Sequence, residues 1–285
     1  MGSAPDVTGK TFVITGATSG IGLQTALRLA AMGGRLTLVG RDAARGQAAI
    51  AAIKAQTPGC EVAFLTADLA RLAEVRRLAG ELIAALPKID VLINNAGAIF
   101  DRRVVTPDGL ERTFALNHAA YFLLTDLLRE RLVASAPARI VNVASEAHRS
   151  VTLEFDDLQS ERDYSAWRAY RRSKLANILF TRELARRLTG TGVTANCLHP
   201  GFVASRFGDN THGVYRLGVQ LAKRLFAISP QNGAKTSVFV ATAAESGNAS
   251  GRYYSKEQQT DPSLAAQDDA AATRLWDVTA RLVAR

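Results

Sequence analysis

Thr11-Phe12-Val13-Ile14-Thr15-Gly16-Ala17-Thr18-Ser19-Gly20-Ile21-Gly22 joins a short, β-rich apolar run directly to a glycine turn. A helical pattern follows to Met32 and stops at Gly33-Gly34. Strand, glycine turn and helix, in that order, are the context a phosphate-binding turn requires. Glycines let the backbone approach a pyrophosphate, and the helix N-terminus presents N–H groups and the positive end of its dipole. The spacing here is Gly-x-x-x-Gly-x-Gly, not Gly-x-Gly-x-x-Gly. Glycine turns also occur without ligands, so the rest of the chain has to decide.

Outward from this turn, strands and helices alternate. Arg35–Val39 reads as a second strand ending at Gly40-Arg41-Asp42, and 43–55 as a helix. Glu61–Leu65 is a third strand, with Asp68-Leu69 past its end, and 72–86 is a helix. Ile89–Ile93 is a fourth strand running into Asn94-Asn95-Ala96-Gly97. A long helix is expected over 109–133 with Asn117 and His118 near its middle. Ile140–Val143 is a fifth strand with Ser145 just past it. A helix over 165–188, a sixth strand Val193–Leu198 ending in His199-Pro200-Gly201, a helix over 231–244, an edge strand Arg252–Tyr254 and a helix over 265–283 complete the series. The alternation predicts a single-domain, doubly wound parallel α/β sheet of the Rossmann type spanning 1–285, covered on both faces. Residues 1–8 are expected to be flexible. The irregular stretch 202–229 suits a lid over a substrate. Ligands to such sheets bind beyond the strands' carboxyl ends, where Gly16 to Gly22, Arg41, Asp68 and Asn94 to Gly97 all fall.

Composition excludes other classes. The chain has 285 residues and is 47% hydrophobic, enough for a large core. Lys+Arg 35 against Asp+Glu 26 gives +9, but the charges are scattered and no zinc-finger or RNP-type motif is present, so nucleic acid is not an expected partner. No apolar stretch is long enough for a transmembrane helix. Cys60 and Cys197 have neither metal-ligand nor redox spacing and read as buried thiols, which fits a reducing, cytoplasmic compartment. His118 and His199 have no partner at ligand spacing and read as structural, and no metal is expected.

Tyr170-Arg171-Arg172-Ser173-Lys174 carries the chemistry. A Tyr and a Lys four apart on a helix share one face. A nearby cation favours a phenolate and lowers the phenol pKa toward a usable range. Alone, such a pair is mostly surface packing. With Thr15-Gly16-x-x-x-Gly20-x-Gly22, Asp68-Leu69, Asn94-Asn95-Ala96-Gly97, Asn117, Ser145 and Pro200-Gly201 in order along the chain, it resembles the short-chain dehydrogenase/reductase family. Thr106 to Glu111, Phe114 to His118, Ser173 to Asn177, Leu198 to Gly201 and Gly251 to Tyr254 are similar to the retinol-dehydrogenase-like branch.

The resemblance implies a hydride-transferring oxidoreductase acting on a carbonyl/alcohol pair, a lipophilic ketone or aldehyde. Alternatives are a C=C reductase of protochlorophyllide type and a silent cofactor-binding regulator. Asn117, Ser145, Tyr170 and Lys174 would be catalytic: Tyr170 the acid or base, Lys174 lowering its pKa and holding the nicotinamide ribose, Ser145 donating to the substrate oxygen, and Asn117 holding the active-site helix and a water. Gly16, Thr18, Ser19, Gly20, Ile21, Gly22, Asp68, Leu69, Asn95, Ala96, Gly97, Pro200, Gly201, Val203 and Ser205 would bind cofactor, with Ser205 standing where the family commonly has Thr. NAD-preferring members have an acidic residue at the end of the second strand. Here that position is Gly40, followed by Arg41, whose guanidinium can clasp a 2′-phosphate, so NADP(H) is expected. Asp42 should face solvent or cap the next helix. Animal members often carry a membrane anchor, and no such anchor is expected in this chain. Surplus apolar surface on the helices of Asn117 and Tyr170 predicts a homodimer or homotetramer.

Overall fold

The computed structural model describes residues 7–201 and 229–284. Its strands are β1 (Thr11–Thr15), β2 (Arg35–Gly40), β3 (Val62–Thr66), β4 (Val91–Asn94), β5 (Ala138–Val143), β6 (Val193–His199), β7 (Tyr253–Ser255) and β8 (Gln258–Thr260). They form one sheet in the order β3-β2-β1-β4-β5-β6-β7-β8, parallel from β3 through β7. β8 runs antiparallel to β7 and is the edge. Tyr253 and Tyr254, expected on an edge strand, therefore lie inside the sheet. Phe12, Val13, Ile14, Leu92 and Ile93 are fully buried. A strand covered on both faces has no polar side to show, which is why these read as unbroken apolar runs.

Helices α1 (Gly20–Ala31), α2 (Ala43–Gln56) and α3 (Leu72–Ala85) follow the first three strands. The expected helix over 109–133 is broken. Gly109, at φ +77°, turns the chain ahead of it. The Glu111 carboxylate then caps α4 (Arg112–Phe114), accepting from Thr113 N at 2.7 Å and Phe114 N at 2.8 Å. A π-helical turn, Ala115–Ala119, leads into α5 (Ala120–Leu127), and α6 (Arg129–Ala134) follows. Then come α7 (Ala166–Arg187), capped by Ser165, α8 (Pro230–Thr242), α9 (Ala244–Gly247) and α10 (Asp269–Val283). α10 starts later than residue 265, because Leu264–Ala266 is a 3-10 turn and Asp268 is the cap, accepting from Ala271 N at 2.9 Å.

One core layer packs α1, α2 and α8 on the sheet, and the other packs α3, α5 and α7. Among the described residues, much of the apolar surface expected to pair with a second copy is covered within the chain. α10 lies along α5 and α7, with the Trp276 ring 4.7 Å from Phe122 and 5.8 Å from Phe180. Phe114, Tyr121, Phe122, Leu124, Ile178 and Phe180 are all buried within one chain, whereas Leu116, Leu127 and Trp167 are half-buried. Val7, expected to be flexible, is buried in the core. Cys60, expected to be buried, is half-exposed in the turn before β3, whereas Cys197 is buried inside β6 and burial pushes its thiol up to about 12. The expected lid, apart from Ser229, lies outside the described residues, as do Val203 and Ser205.

Candidate active site

The order β2-β1-β4 reverses the direction of winding at β1, and ligands to such sheets bind in the crevice past the strand ends at that point. A cavity of about 440 Å³ opens there. Fifteen expected residues line it: Gly16, Thr18 to Gly22, Arg41, Asp68, Leu69, Asn95, Ala96, Gly97, Tyr170, Lys174 and Pro200.

At one end is the glycine turn. Gly16 and Gly20 have φ +67° and +56°, a region that favours glycine. A Cβ on Gly22 would come within 2.4 Å of Gly16 O and 2.6 Å of Asn95 Nδ2. Asn95, expected to bind cofactor, lines the cavity, and its side chain also braces the turn, donating to Thr15 O at 2.8 Å and Gly16 O at 3.3 Å. Asp68 lines the wall, and its Oδ1 also accepts from Ala70 N at 3.1 Å. Past β2, Arg41 stands exposed on the rim and Asp42 caps α2, accepting from Arg45 N at 3.0 Å. The cap brings Arg45 to the same rim, one turn from Arg41. Sequence reading missed Arg45, although the i,i+4 spacing from Arg41 was a usable signal.

Tyr170 and Lys174 line the other end, with Ser145 behind Tyr170 and off the lining. Ser145 caps the 3-10 turn Glu146–Ser150 and is hydrogen-bonded to the Tyr170 side chain. Lys174 Nζ is buried, donates to Val143 O at 2.9 Å and lies 5.8 Å from the Tyr170 ring centroid. Burial drops this amine to about 7. Lys174 was expected to lower the Tyr170 pKa. Instead burial prevails and pushes the phenol up to about 12, with the Ser145 hydrogen bond pulling the other way. Desolvation disfavours both charged forms, so the protein's own groups leave a neutral phenol beside a weakly basic amine.

Asn117 does not line the cavity. The π turn aims it between elements: Oδ1 accepts from Ala98 N at 2.9 Å, and Nδ2 donates to Ala98 O at 2.9 Å and Ser173 Oγ at 3.0 Å. A π turn at a functional site is a recurrent device, and here it ties the 94–98 loop to α7. Gly201 is also off the lining, with its N–H donating to His199 Nδ1 at 3.0 Å. Leu116, Val143 and Ala144 are further lining residues that sequence reading missed. Each neighbours an expected site residue but carries no polar signal of its own.

The cavity suits a dinucleotide. Glycines 16, 20, 22, 40 and 97 bare its walls. A Cβ on Gly40 would meet Thr18 Cγ2 at 2.8 Å, and one on Gly97 would approach Lys174 Nζ at 3.3 Å. The family model described as short chain dehydrogenase matches residues 10–213. The chain is a short-chain dehydrogenase. Retinol dehydrogenase 13 of Homo sapiens is 42% identical over 286 residues, covering 99% of this chain and 86% of that protein. A crystal structure titled as a putative uncharacterized protein from Mycobacterium Paratuberculosis shares 33% identity at a TM-score of 0.78, over 98% of this chain and 95% of the other. A putative NAD(P) dependent gluconate 5-dehydrogenase from Beutenbergia cavernae, with bound NADP at low occupancy, is 28% identical at a TM-score of 0.70, over 89% and 97%. This short-chain dehydrogenase belongs to the retinol-dehydrogenase-like branch. It is an oxidoreductase whose fold binds a nicotinamide cofactor and moves a hydride to or from a small molecule.

Proposed function

We propose that this protein is an NADP(H)-dependent carbonyl reductase, acting in reverse as an alcohol dehydrogenase, with lipophilic ketones or aldehydes as substrates. The observation that carries the reading is Tyr170, hydrogen-bonded to Ser145, lining one end of the cavity with Arg41 and Arg45 at the other. The bound cofactor supplies the hydride. Tyr170, held as a neutral phenol, donates its proton to the substrate oxygen, which suits the reductive direction near neutral pH. Ser145 donates a second hydrogen bond to that oxygen and stabilises the charge developing there. Lys174 holds the nicotinamide ribose, and Asn117 fixes the 94–98 loop beside it. Leu116, Val143 and Ala144 leave the substrate end apolar. The retinol dehydrogenases among its relatives support a lipophilic substrate.

NADP(H) preference rests on Arg41 and Arg45. A 2′-phosphate at this rim meets two guanidinium groups, and the carboxylate next to Arg41 in the chain, Asp42, is engaged by Arg45 at 3.3 Å. A hydrogen bond to a charged group is worth roughly 1.5–3 kcal/mol, so each arginine supplies about a ten- to hundredfold preference. Free thiols at Cys60 and Cys197 support a cytoplasmic setting. The test is a panel of aldehydes, ketones and secondary alcohols followed by NADPH absorbance, repeated with NADH and with Arg41→Ala and Arg45→Ala. Higher kcat/KM with NADH in the parent, or an NADPH preference untouched by both substitutions, defeats the cofactor reading. No turnover of any carbonyl or alcohol defeats the reaction.

A further inference from the structure

His118, next to Asn117 in the π turn, is fully buried, yet the reaction does not use it. Its Nε2 is 3.0 Å from Thr279 Oγ1 on α10, and its Nδ1 is 3.3 Å from Asn177 Oδ1 on α7. Asn177 Nδ2 donates to Val143 O at 3.5 Å, the carbonyl that accepts from Lys174 Nζ at 2.9 Å. The direction of each bond follows from the fixed end. A carbonyl only accepts, so Asn177 turns its NH2 to Val143 and its Oδ1 to His118. His118 Nδ1 therefore carries the proton and donates, and Nε2 is left to accept from the Thr279 hydroxyl. Thr279 and Asn177 are buried too.

We propose that α10 belongs to the catalytic apparatus: Thr279, through His118 and Asn177, fixes the Val143 carbonyl that holds Lys174. The three are positioning residues for the active-site lysine. Their surroundings argue for this. Phe114 and Phe180 lie 5.1 Å and 6.0 Å from the His118 ring, and Trp276 beside Thr279 clamps α10 down. A polar chain set among aromatic rings costs desolvation that an apolar trio would avoid. Burial drops the imidazole to about 4, so the link keeps one protonation state through the neutral range. Lys174 Nζ is held through its bond to Val143 O, and a shift of that acceptor by a fraction of an ångström misplaces the amine. In this chain the face over α5 and α7 is closed by the chain's own C-terminal helix, which then supports the lysine from outside.

The inference rests on the hydride-transfer reading, and the experiment separates the two. Thr279→Val keeps the shape and removes the hydroxyl, while Thr279→Ser restores it. Thr279→Val should lower kcat about three- to tenfold, the worth of one buried hydrogen bond, with KM for NADPH and carbonyl within about twofold. Thr279→Ser should recover the parental kcat to within about twofold. Ring 15N spectra of the parent, recorded without substrate, should show His118 neutral and protonated at Nδ1, and Thr279→Val should mix the tautomers. A parental kcat in Thr279→Val, an equal loss in Thr279→Ser, or a parental His118 protonated at Nε2 overturns the proposal. If the parent turns over no carbonyl or alcohol, the proposed function falls and the ring spectra alone decide whether the link exists.

Discussion

Replacing Lys174 with Met should make the protein more stable at low pH while abolishing its activity. The amine is buried, with one hydrogen bond to Val143 O, and burial takes its pKa from 10.5 to about 7. Between those values the unfolded chain holds the proton and the folded chain does not. Stability therefore rises with pH through this window and is lowest below it, where a charged amine must be kept desolvated. At about 1.4 kcal/mol per pH unit, the parent should gain roughly 2–3 kcal/mol relative to Lys174→Met between about pH 6.5 and pH 9. Met has nearly the volume and shape of the lysine stem, so cavity terms stay small. Loss of the Val143 hydrogen bond offsets about 1 kcal/mol at all pH values and leaves the slope unchanged. Urea unfolding of both proteins at several pH values measures it. A stability difference that does not change with pH would refute the buried, proton-shedding lysine.

Two further outcomes follow from the packing. Gly22→Ala drives a methyl into Gly16 O and the Asn95 amide that pins the turn, so calorimetry should show NADPH affinity falling at least about tenfold, as expected when a hydrogen-bonded turn is displaced. Unchanged affinity would show that the turn does not hold the phosphates. Trp276→Ala should cost about 3–5 kcal/mol and bare Phe122 and Phe180. Light scattering should then find the parent monomeric and the variant self-associating, whereas a parental dimer would mean that another surface pairs.

The parts of the site that were legible in the sequence are those with local chemistry. Glycine at a positive φ, Asp42 ahead of a helix and Tyr170 one turn from Lys174 each follow from spacing and residue type, and the apolar runs 11–15 and 91–94 mark buried parallel strands. What was not legible depends on distant partners. The break at Asn117 arises because its side chain is drawn to Ala98 and Ser173, which no periodicity reveals. The β7–β8 turn uses Lys256 and Glu257 at φ 51° and 62°, without the glycine or asparagine that normally announces a tight hairpin. The apolar residues of α5 and α7 looked unpartnered because their cover, Trp276, is supplied from a distant part of the chain, close to its last helix's middle. Tyr170 was expected to be acidified by Lys174, but burial, which depends on the whole fold, decided its pKa.

The proposed reaction turns on Tyr170 giving its proton to the substrate oxygen. Steady-state NADPH consumption by Tyr170→Phe, with the best carbonyl from the panel, tests it most directly when paired with calorimetry of NADPH binding. A positioned acid contributes ~10²–10⁴ in rate, so turnover should fall by that factor while the NADPH dissociation constant stays within about twofold of the parent. Turnover at the parental rate would contradict the assignment.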